Sequence, residues 1–238
     1  MNPANSLARL TEDPSRAALF LDVDGVLAPI VPRPEDARVP DETRAELRRL
    51  NDRYALVACI SGRSGEDARQ IVGVAELVYV GNHGLELEPE SEEWKTRLRD
   101  LLAQIEWPLL EDKGLTAALH YRGLPDETAA RAELEEIADG ARRAGFVARF
   151  GRKVLEIVPP IRGDKGTAIR SLLARAGLER ALVAGDDTTD LDAFHALDGL
   201  EVAIRVAVSS NESPPALSEA ADAVVADPEE FLSLLRRL

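Results

Sequence analysis

Residues 17–23, AALFLDV, are apolar at every position but one. A strand that faces water on one side alternates polar and apolar residues; a run apolar on both sides must be buried on both. Comparable runs recur as ALVACI (55–60), LVYV (77–80) and ALVAG (181–185), with EVAIRVAV and ADAVVA following near the C-terminus. Amphipathic helical patterns separate them: 41–53 with Asp41 as the expected N-cap, 65–73, 165–176, 190–197 and a closing helix. Strand–helix alternation at both ends of the chain specifies an open parallel sheet covered by helices.

The middle of the chain breaks this rhythm. Between about residues 84 and 160 the pattern reads as helix (92–106), strand (116–121), helix (126–143) and two short strands (146–150 and 154–158). The fold class expected is therefore α/β, a parallel-sheet core with an inserted α+β domain. The core is placed at 1–82 plus 162–238 and the insertion at 83–161, with PPIRG (159–163) as the return hinge. No internal repeat or low-complexity stretch interrupts the scheme.

Composition narrows the function classes. A formal net charge of −14 argues against a broad nucleic-acid or anionic-membrane surface, because phosphate backbones need clustered Lys and Arg. No apolar run approaches the roughly 20 residues that span a bilayer, and the polar N-terminus carries no secretory signal. The single cysteine, Cys59, allows no intrachain disulfide and suits a reducing cytoplasm. Only four lysines occur, at 95, 113, 153 and 165, so each is worth locating.

The apolar strand at 17–23 ends in acid. Asp22 and Asp24, at i and i+2, share a side at the carboxyl end of a parallel strand, where open α/β sheets bind ligands. Two carboxylates about 4 Å apart repel by about 4 kcal/mol at an effective dielectric of 20, so such a pair needs a cation or a shared proton. The alternative is a turn whose acids cap backbone N–H groups. A calcium loop is excluded, since glycine stands fourth instead of sixth and Arg33 occupies the twelfth place.

Three further motifs sit at element ends. In AGDDTTDLD, Asp186, Asp187 and Asp190 offer oxygen ligands suited to Mg²⁺, or merely an acidic helix N-terminus. In ISGRSGED, Ser61, Gly62 and Arg63 follow a strand and precede a helix, which makes an anion site, while Ser64 and Asp67 make a capping-box-like pair. In RGDKG, Lys165 opens a helix against the dipole, so it has a compensating partner or is solvated. Taken together these groups fit phosphoryl transfer. Asp22 would attack phosphorus, Asp24 would protonate the leaving alkoxide and then activate water, and Mg²⁺, Ser61 and Lys165 would neutralise the phosphoryl oxygens. A Ser-His-Asp hydrolase is poorly supported, for no G-x-S-x-G occurs.

DVDGVL, SGR, GDKG and GDDTTD, in that order, resemble the four motifs of the haloacid-dehalogenase superfamily of phosphatases, and the resemblance covers essentially the whole chain. Within it, LDVDGVLAPIV, GNHGLEL, KGLTAALHYR, KVLEIVPPIRGDKGTAI and GDDTTDLDAF look most like the trehalose-6-phosphate phosphatases. The resemblance implies a Rossmannoid core with a mobile α/β cap. It implies Asp22 as nucleophile, Asp24 as acid/base, and phosphate held by Ser61, Gly62, Arg63 and Lys165. It places Mg²⁺ on Asp22, the Asp24 carbonyl and Asp186, with Asp187 and Asp190 completing or orienting the site. Glu86, Lys113, His120, Arg122 and Glu156 would contact sugar hydroxyls, although alternate residues of one strand, such as His120 and Arg122, could equally form a solvated face, and Lys153 and Glu156 an exposed pair. Val26 and Leu191 depart from the family pattern, where Thr and Glu are common.

The expectation is thus a cytoplasmic, Mg²⁺-dependent hydrolase of trehalose 6-phosphate acting on a small-molecule sugar phosphate, with no nucleic-acid, membrane or obligate protein partner. Another sugar phosphate, such as sucrose phosphate or a glycosyl-phosphoglycerate, is the runner-up substrate. A catalytically silent sugar-phosphate-binding regulator is the alternative outside enzymes.

Overall fold

The computed structural model describes residues 3–31, 33–210 and 213–238. Pro32, in the proline-rich loop, and Met1 and Asn2, in the expected polar N-terminus, lie outside them. The chain divides into two compact units: the stretch up to Gly84 together with Gly163–Leu238, and Leu85–Arg162.

In the first unit, α1 (Pro3–Glu12) precedes β1 (Ala18–Leu21), α2 (Asp41–Asn51), β2 (Leu56–Ile60), α3 (Gly65–Val72) and β3 (Val78–Val80). After the insertion come α6 (Lys165–Ala176), β8 (Arg180–Gly185), α7 (Asp190–His195), β9 (Val202–Val208), α8 (Pro215–Ala220), β10 (Ala223–Val225) and α9 (Pro228–Leu235). The six strands are all parallel, in the order β10-β9-β8-β1-β2-β3. The chain therefore builds outward from β1 in one direction before the insertion and in the other after it. That reversal between β1 and β8 is a topological switch point, where open α/β sheets leave a crevice at the strands' carboxyl ends.

Every β1 residue is buried. Leu19 and Leu21 pack with Leu10 of α1, Leu47 and Leu50 of α2, Ile71 and Val72 of α3, and Phe231 and Leu235 of α9; Phe20 is buried outside that cluster. The apolar face of α1 was not foreseen. The N-cap of α2 is Pro40, not Asp41, which lies inside the first turn and accepts from Arg44 at 3.2 Å. By contrast α6 begins and ends at the expected residues. Asp164 and Thr167 close a reciprocal capping box, and Gly177 ends the helix in the left-handed conformation.

The second unit contains α4 (Ser91–Leu102), β4 (Leu110–Asp112), β5 (Ala117–His120), α5 (Glu127–Arg143), β6 (Val147–Phe150) and β7 (Val154–Val158). Its sheet is antiparallel, in the order β4-β5-β7-β6. Burial alternates along β7, so Leu155 and Ile157 enter a core with Leu119, Trp94, Leu98, Leu134 and Phe146. Trp94 and Phe146 meet edge to face, centroids 4.9 Å apart. Asp126 caps α5 by accepting from Thr128 and Ala129 N–H. The short β4 was not expected. An α/β parallel-sheet core carrying an inserted α+β domain with its own antiparallel sheet is the architecture observed.

Among the described residues, no helix is long and apolar enough to cross a membrane.

Candidate active site

β1 stops at Leu21, and the chain turns immediately. Leu27 and Ala28 N–H donate to the Val23 carbonyl, and Gly25 N–H donates to Ala28 O at 2.8 Å. Gly25 sits at φ +76, and a methyl group there would come within 2.1 Å of Asp186 Oδ2. Only glycine serves both the turn and the approach of that carboxylate. Asp22 and Asp24 lie just past the last residue of β1, with Asp22 N–H still donating to Ala184 O of β8 at 3.1 Å and Asp24 making an isolated bridge to Ala28, and both line one cavity.

The repulsion expected between the two acids is met by a separate cation for each. Lys165 Nζ, 2% exposed, donates to Asp22 Oδ2 at 2.6 Å and to Asp190 Oδ1 at 2.7 Å. Arg63 forks onto Asp24, with Nε at 2.6 Å from Oδ2 and an η nitrogen at 2.8 Å from Oδ1. The lysine that opens α6 against the dipole is therefore held by two buried carboxylates.

Asp190 is an organiser. Its Oδ2 accepts the N–H groups of both Asp186 and Asp187, each at 3.0 Å, so the loop after β8 is wrapped around it. β8 ends in Gly185 because the Asp190 side chain occupies the space beside it; a methyl there would lie 2.2 Å from Asp190 Cγ.

One carboxylate oxygen from each of Asp22, Asp186 and Asp190 lies within 4.8 Å of the other two. Burial pushes the Asp22 carboxyl up to about 7, with Asp190 adding to the shift and Lys165 opposing it. Burial, then repulsion from Asp22 and Asp190, pushes Asp186 up to about 8. Burial works against the Lys165 charge, but Asp22 and Asp190 outweigh it and hold the ammonium above the usual lysine range. One lysine thus leaves this cluster short of positive charge. Hard carboxylate donors with surplus negative charge, Asp22 and Asp186 beside an Asp190 already engaged through both oxygens, fit a divalent cation.

A cavity of about 510 Å³ opens on these groups, lined by Asp22, Asp24, Gly62, His83, Lys165 and Asp186 among others. Ser61 is buried beside it, and its Oγ accepts Arg63 N–H at 3.2 Å. Ser64 caps α3 through Asp67 N–H. Asp187 lines the cavity from an exposed position, its Oδ1 accepting Thr188 N–H at 2.6 Å. Arg63 lines a different cavity of about 410 Å³, with Pro34, Glu35, Arg38, Asp67, Gln70 and Ile71.

In the inserted unit, Glu111 collects two of the expected residues. His120 Nε2 lies 3.3 Å from it and Lys113 Nζ 3.6 Å. Cross-strand register aligns Glu111, Ala118, Glu156 and Arg149 in one row of the sheet, and Arg149 donates to Glu156 at 2.7 Å. Lys153 pairs with Glu127 instead of Glu156. Arg122 follows β5 and donates to Arg152 O at 3.4 Å, while Glu86 lies in the 3-10 segment Asn82–Leu87. Neither joins the row.

A family model described as trehalose-phosphatase matches residues 20–228. The chain belongs to the trehalose-phosphatase family. A trehalose-phosphate phosphatase from Mycobacterium marinum is 35% identical over 216 residues, covering 80% of this chain and 54% of that one. A solved trehalose-6-phosphate phosphatase related protein superposes with a TM-score of 0.68 at 26% identity, over 92% of this chain and 95% of that one. The chain spans about half the length of the M. marinum relative, and 16% of a longer Mycobacterium tuberculosis relative described as an uncharacterized glycosyl hydrolase, at 35% identity over 80% of this chain.

Sequence reasoning missed His83, Ile30, Thr189 and Ser210 on the cavity wall, and Glu111 and Arg149 in the inserted sheet. Asn82 and His83 both adopt positive φ without being glycine, and their N–H groups donate to Arg63 O and Ser61 O. Pattern reading carries no signal for that turn. Glu111 was legible only to a reading that recognised the three-residue β4.

Proposed function

We propose that this chain hydrolyses trehalose 6-phosphate to trehalose and inorganic phosphate. The observation that carries the reaction class is Asp22, a buried carboxylate at the switch point, facing a cavity and bonded to the one buried lysine among the described residues. Family membership and the names of the relatives support the substrate.

Asp22 is the nucleophile. Its oxygen bonds to phosphorus as the phosphorus–sugar oxygen bond breaks, and Asp24 gives the departing alkoxide a proton. Asp24, now a carboxylate, takes a proton from water; that water's oxygen attacks phosphorus, the Asp22–phosphorus bond breaks, and phosphate leaves. The Ser61 hydroxyl, with its oxygen already accepting from Arg63 N–H, directs its own hydrogen to a phosphoryl oxygen. Lys165 holds Asp22 in line and supplies positive charge. Asp22, Asp186 and the Asp24 carbonyl would hold Mg²⁺, which would supply charge neutralisation at the phosphoryl oxygens. Asp190, already engaged through both oxygens, shapes this site, and Asp187 stands at its rim.

Leu85–Arg162 is the cap that recognises the sugar, through Glu86, Lys113, His120, Arg122 and Glu156. The single buried cysteine and the net charge of −14 support a cytoplasmic protein without nucleic-acid or membrane partners.

A panel of sugar phosphates assayed with Mg²⁺ and with a chelator tests this reading. Highest kcat/KM for trehalose 6-phosphate, loss of turnover in chelator and loss in Asp22→Asn are expected. Preference for sucrose phosphate or a glycosyl-phosphoglycerate would replace the substrate, and binding without phosphate release would replace the enzyme with a regulator.

A further inference from the structure

The acid/base carboxylate of the proposed reaction is held at both oxygens by a guanidinium that does not face the reacting cavity. Arg63 reaches Asp24 from 39 residues away, and both ends of the fork are fixed. Asp24 lies in the turn closed by Gly25 N–H on Ala28 O and by Leu27 and Ala28 N–H on Val23 O. The Arg63 backbone is clamped on both sides, its N–H donating to Ser61 Oγ and its carbonyl accepting Asn82 N–H at 2.7 Å. That clamp comes from the left-handed turn at Asn82 and His83, a conformation non-glycine residues adopt only at a cost. The fork itself is only partly exposed, 18% for Arg63 and 31% for Asp24.

The two residues face different spaces. Asp24 lines the cavity that contains Asp22 and Lys165, whereas Arg63 lines the separate cavity bounded by Pro34, Glu35, Arg38, Asp67, Gln70 and Ile71. The arginine of the SGR motif therefore reaches the chemistry through Asp24.

We propose that Arg63 is a positioning residue that aims the Asp24 carboxyl at the leaving-group oxygen, and that it is not a ligand of the phosphoryl group. This rests on the acid/base assignment of Asp24 above. A bidentate fork fixes the carboxyl plane as well as its distance, and proton transfer demands that alignment. The pairing also constrains the reaction. The fork holds Asp24 at both oxygens as a carboxylate, so one oxygen must leave it and take up a proton from solvent, which it gives to the alkoxide and regains from the attacking water.

The test compares two esters. Trehalose 6-phosphate expels an alkoxide that needs a proton; p-nitrophenyl phosphate expels a phenolate that does not. For each, kcat/KM reports the steps through leaving-group departure. Arg63→Gln, and Arg63→Lys as a charged variant lacking the fork, are expected to lower kcat/KM for trehalose 6-phosphate by about 10²-fold, the scale of general acid catalysis. The same variants should lower it for p-nitrophenyl phosphate by less than about threefold, and Arg63→Gln should add no further loss in an Asp24→Asn background. Equal losses on both esters would make Arg63 a phosphate ligand and overturn the proposal, as would no loss on either. If Asp24→Asn discriminates between the esters and the Arg63 variants do not, this inference alone fails. If Asp24→Asn costs both esters equally, the acid/base assignment fails and takes this inference with it. Circular dichroism melts of each variant confirm that the folded protein is being assayed.

Discussion

The two units use the same chemical pairing in opposite surroundings. In the core, Lys165 bonds Asp22 at 2.6 Å with both groups buried. In the inserted sheet, Arg149 bonds Glu156 at 2.7 Å with side chains 65% and 40% exposed. The contact lengths are almost equal, so the lengths say nothing of their worth. Breaking a buried pair leaves an uncompensated charge out of water, at about 3–5 kcal/mol, whereas an exposed pair is worth about 0–1 kcal/mol. The core spends stability to hold charge where a reaction needs it. The inserted unit keeps this pair in water, where its loss would cost little.

The largest effect should come from Lys165→Met, which leaves Asp22 and Asp190 together without their cation. Loss of about 3–5 kcal/mol in urea unfolding, with turnover abolished, is expected; a change within 1 kcal/mol would erase the contrast between the units. Gly25→Ala comes next. Left-handed strain and the 2.1 Å approach to Asp186 Oδ2 should cost about 1–3 kcal/mol, and the rise in melting temperature on adding Mg²⁺ should shrink, because Asp186 is displaced.

The pH dependence of that rise sharpens the comparison further. Folding lifts Asp22 from 3.8 to about 7 and Asp186 from 3.8 to about 8. Below pH 3.8 both states of the chain are protonated and the shifts cost nothing. Above it the unfolded chain ionises first, so in chelator these two groups erode stability as pH rises toward 8. A divalent cation removes the penalty, so the gain in melting temperature from Mg²⁺ should widen from pH 5 to pH 8. A gain that is flat with pH would place the ion elsewhere. The smallest stability effect belongs to Glu156→Gln in the inserted sheet, below about 1 kcal/mol by thermal melt. It should nevertheless raise KM for trehalose 6-phosphate several-fold while leaving p-nitrophenyl phosphate unaffected.

The core was legible because its chemistry sits where the chain punctuates itself. Each acidic or hydroxyl motif follows a continuous apolar run and carries a glycine, and helix α6 runs over the expected residues, bounded by Asp164 and Gly177. The ion pairs were harder to read. Nothing local to Arg63 names Asp24 as its partner, since the approach depends on β1 and β2 lying side by side and on the turn at Asn82. The inserted sheet was legible where burial alternates, as in β7, and failed at β4, whose three residues are too few to show a period. Helix α1 failed for another reason. Its residues divide evenly between polar and apolar, and Leu10, fully buried, reveals its apolar side only against the sheet. At α2 the cap depends on one residue's backbone angles, and Pro40 takes that position ahead of Asp41.

The central place of β1 has a consequence for synthesis. Its neighbours are β2, made soon after it, and β8, which emerges only after the whole inserted unit. Leu85–Arg162 is one continuous stretch that can fold on the ribosome while β1 still has a bare edge and Asp22 lacks its lysine. The inserted unit is thus translated in full before Asp22 can meet Lys165, and the last strands to arrive complete the parallel sheet.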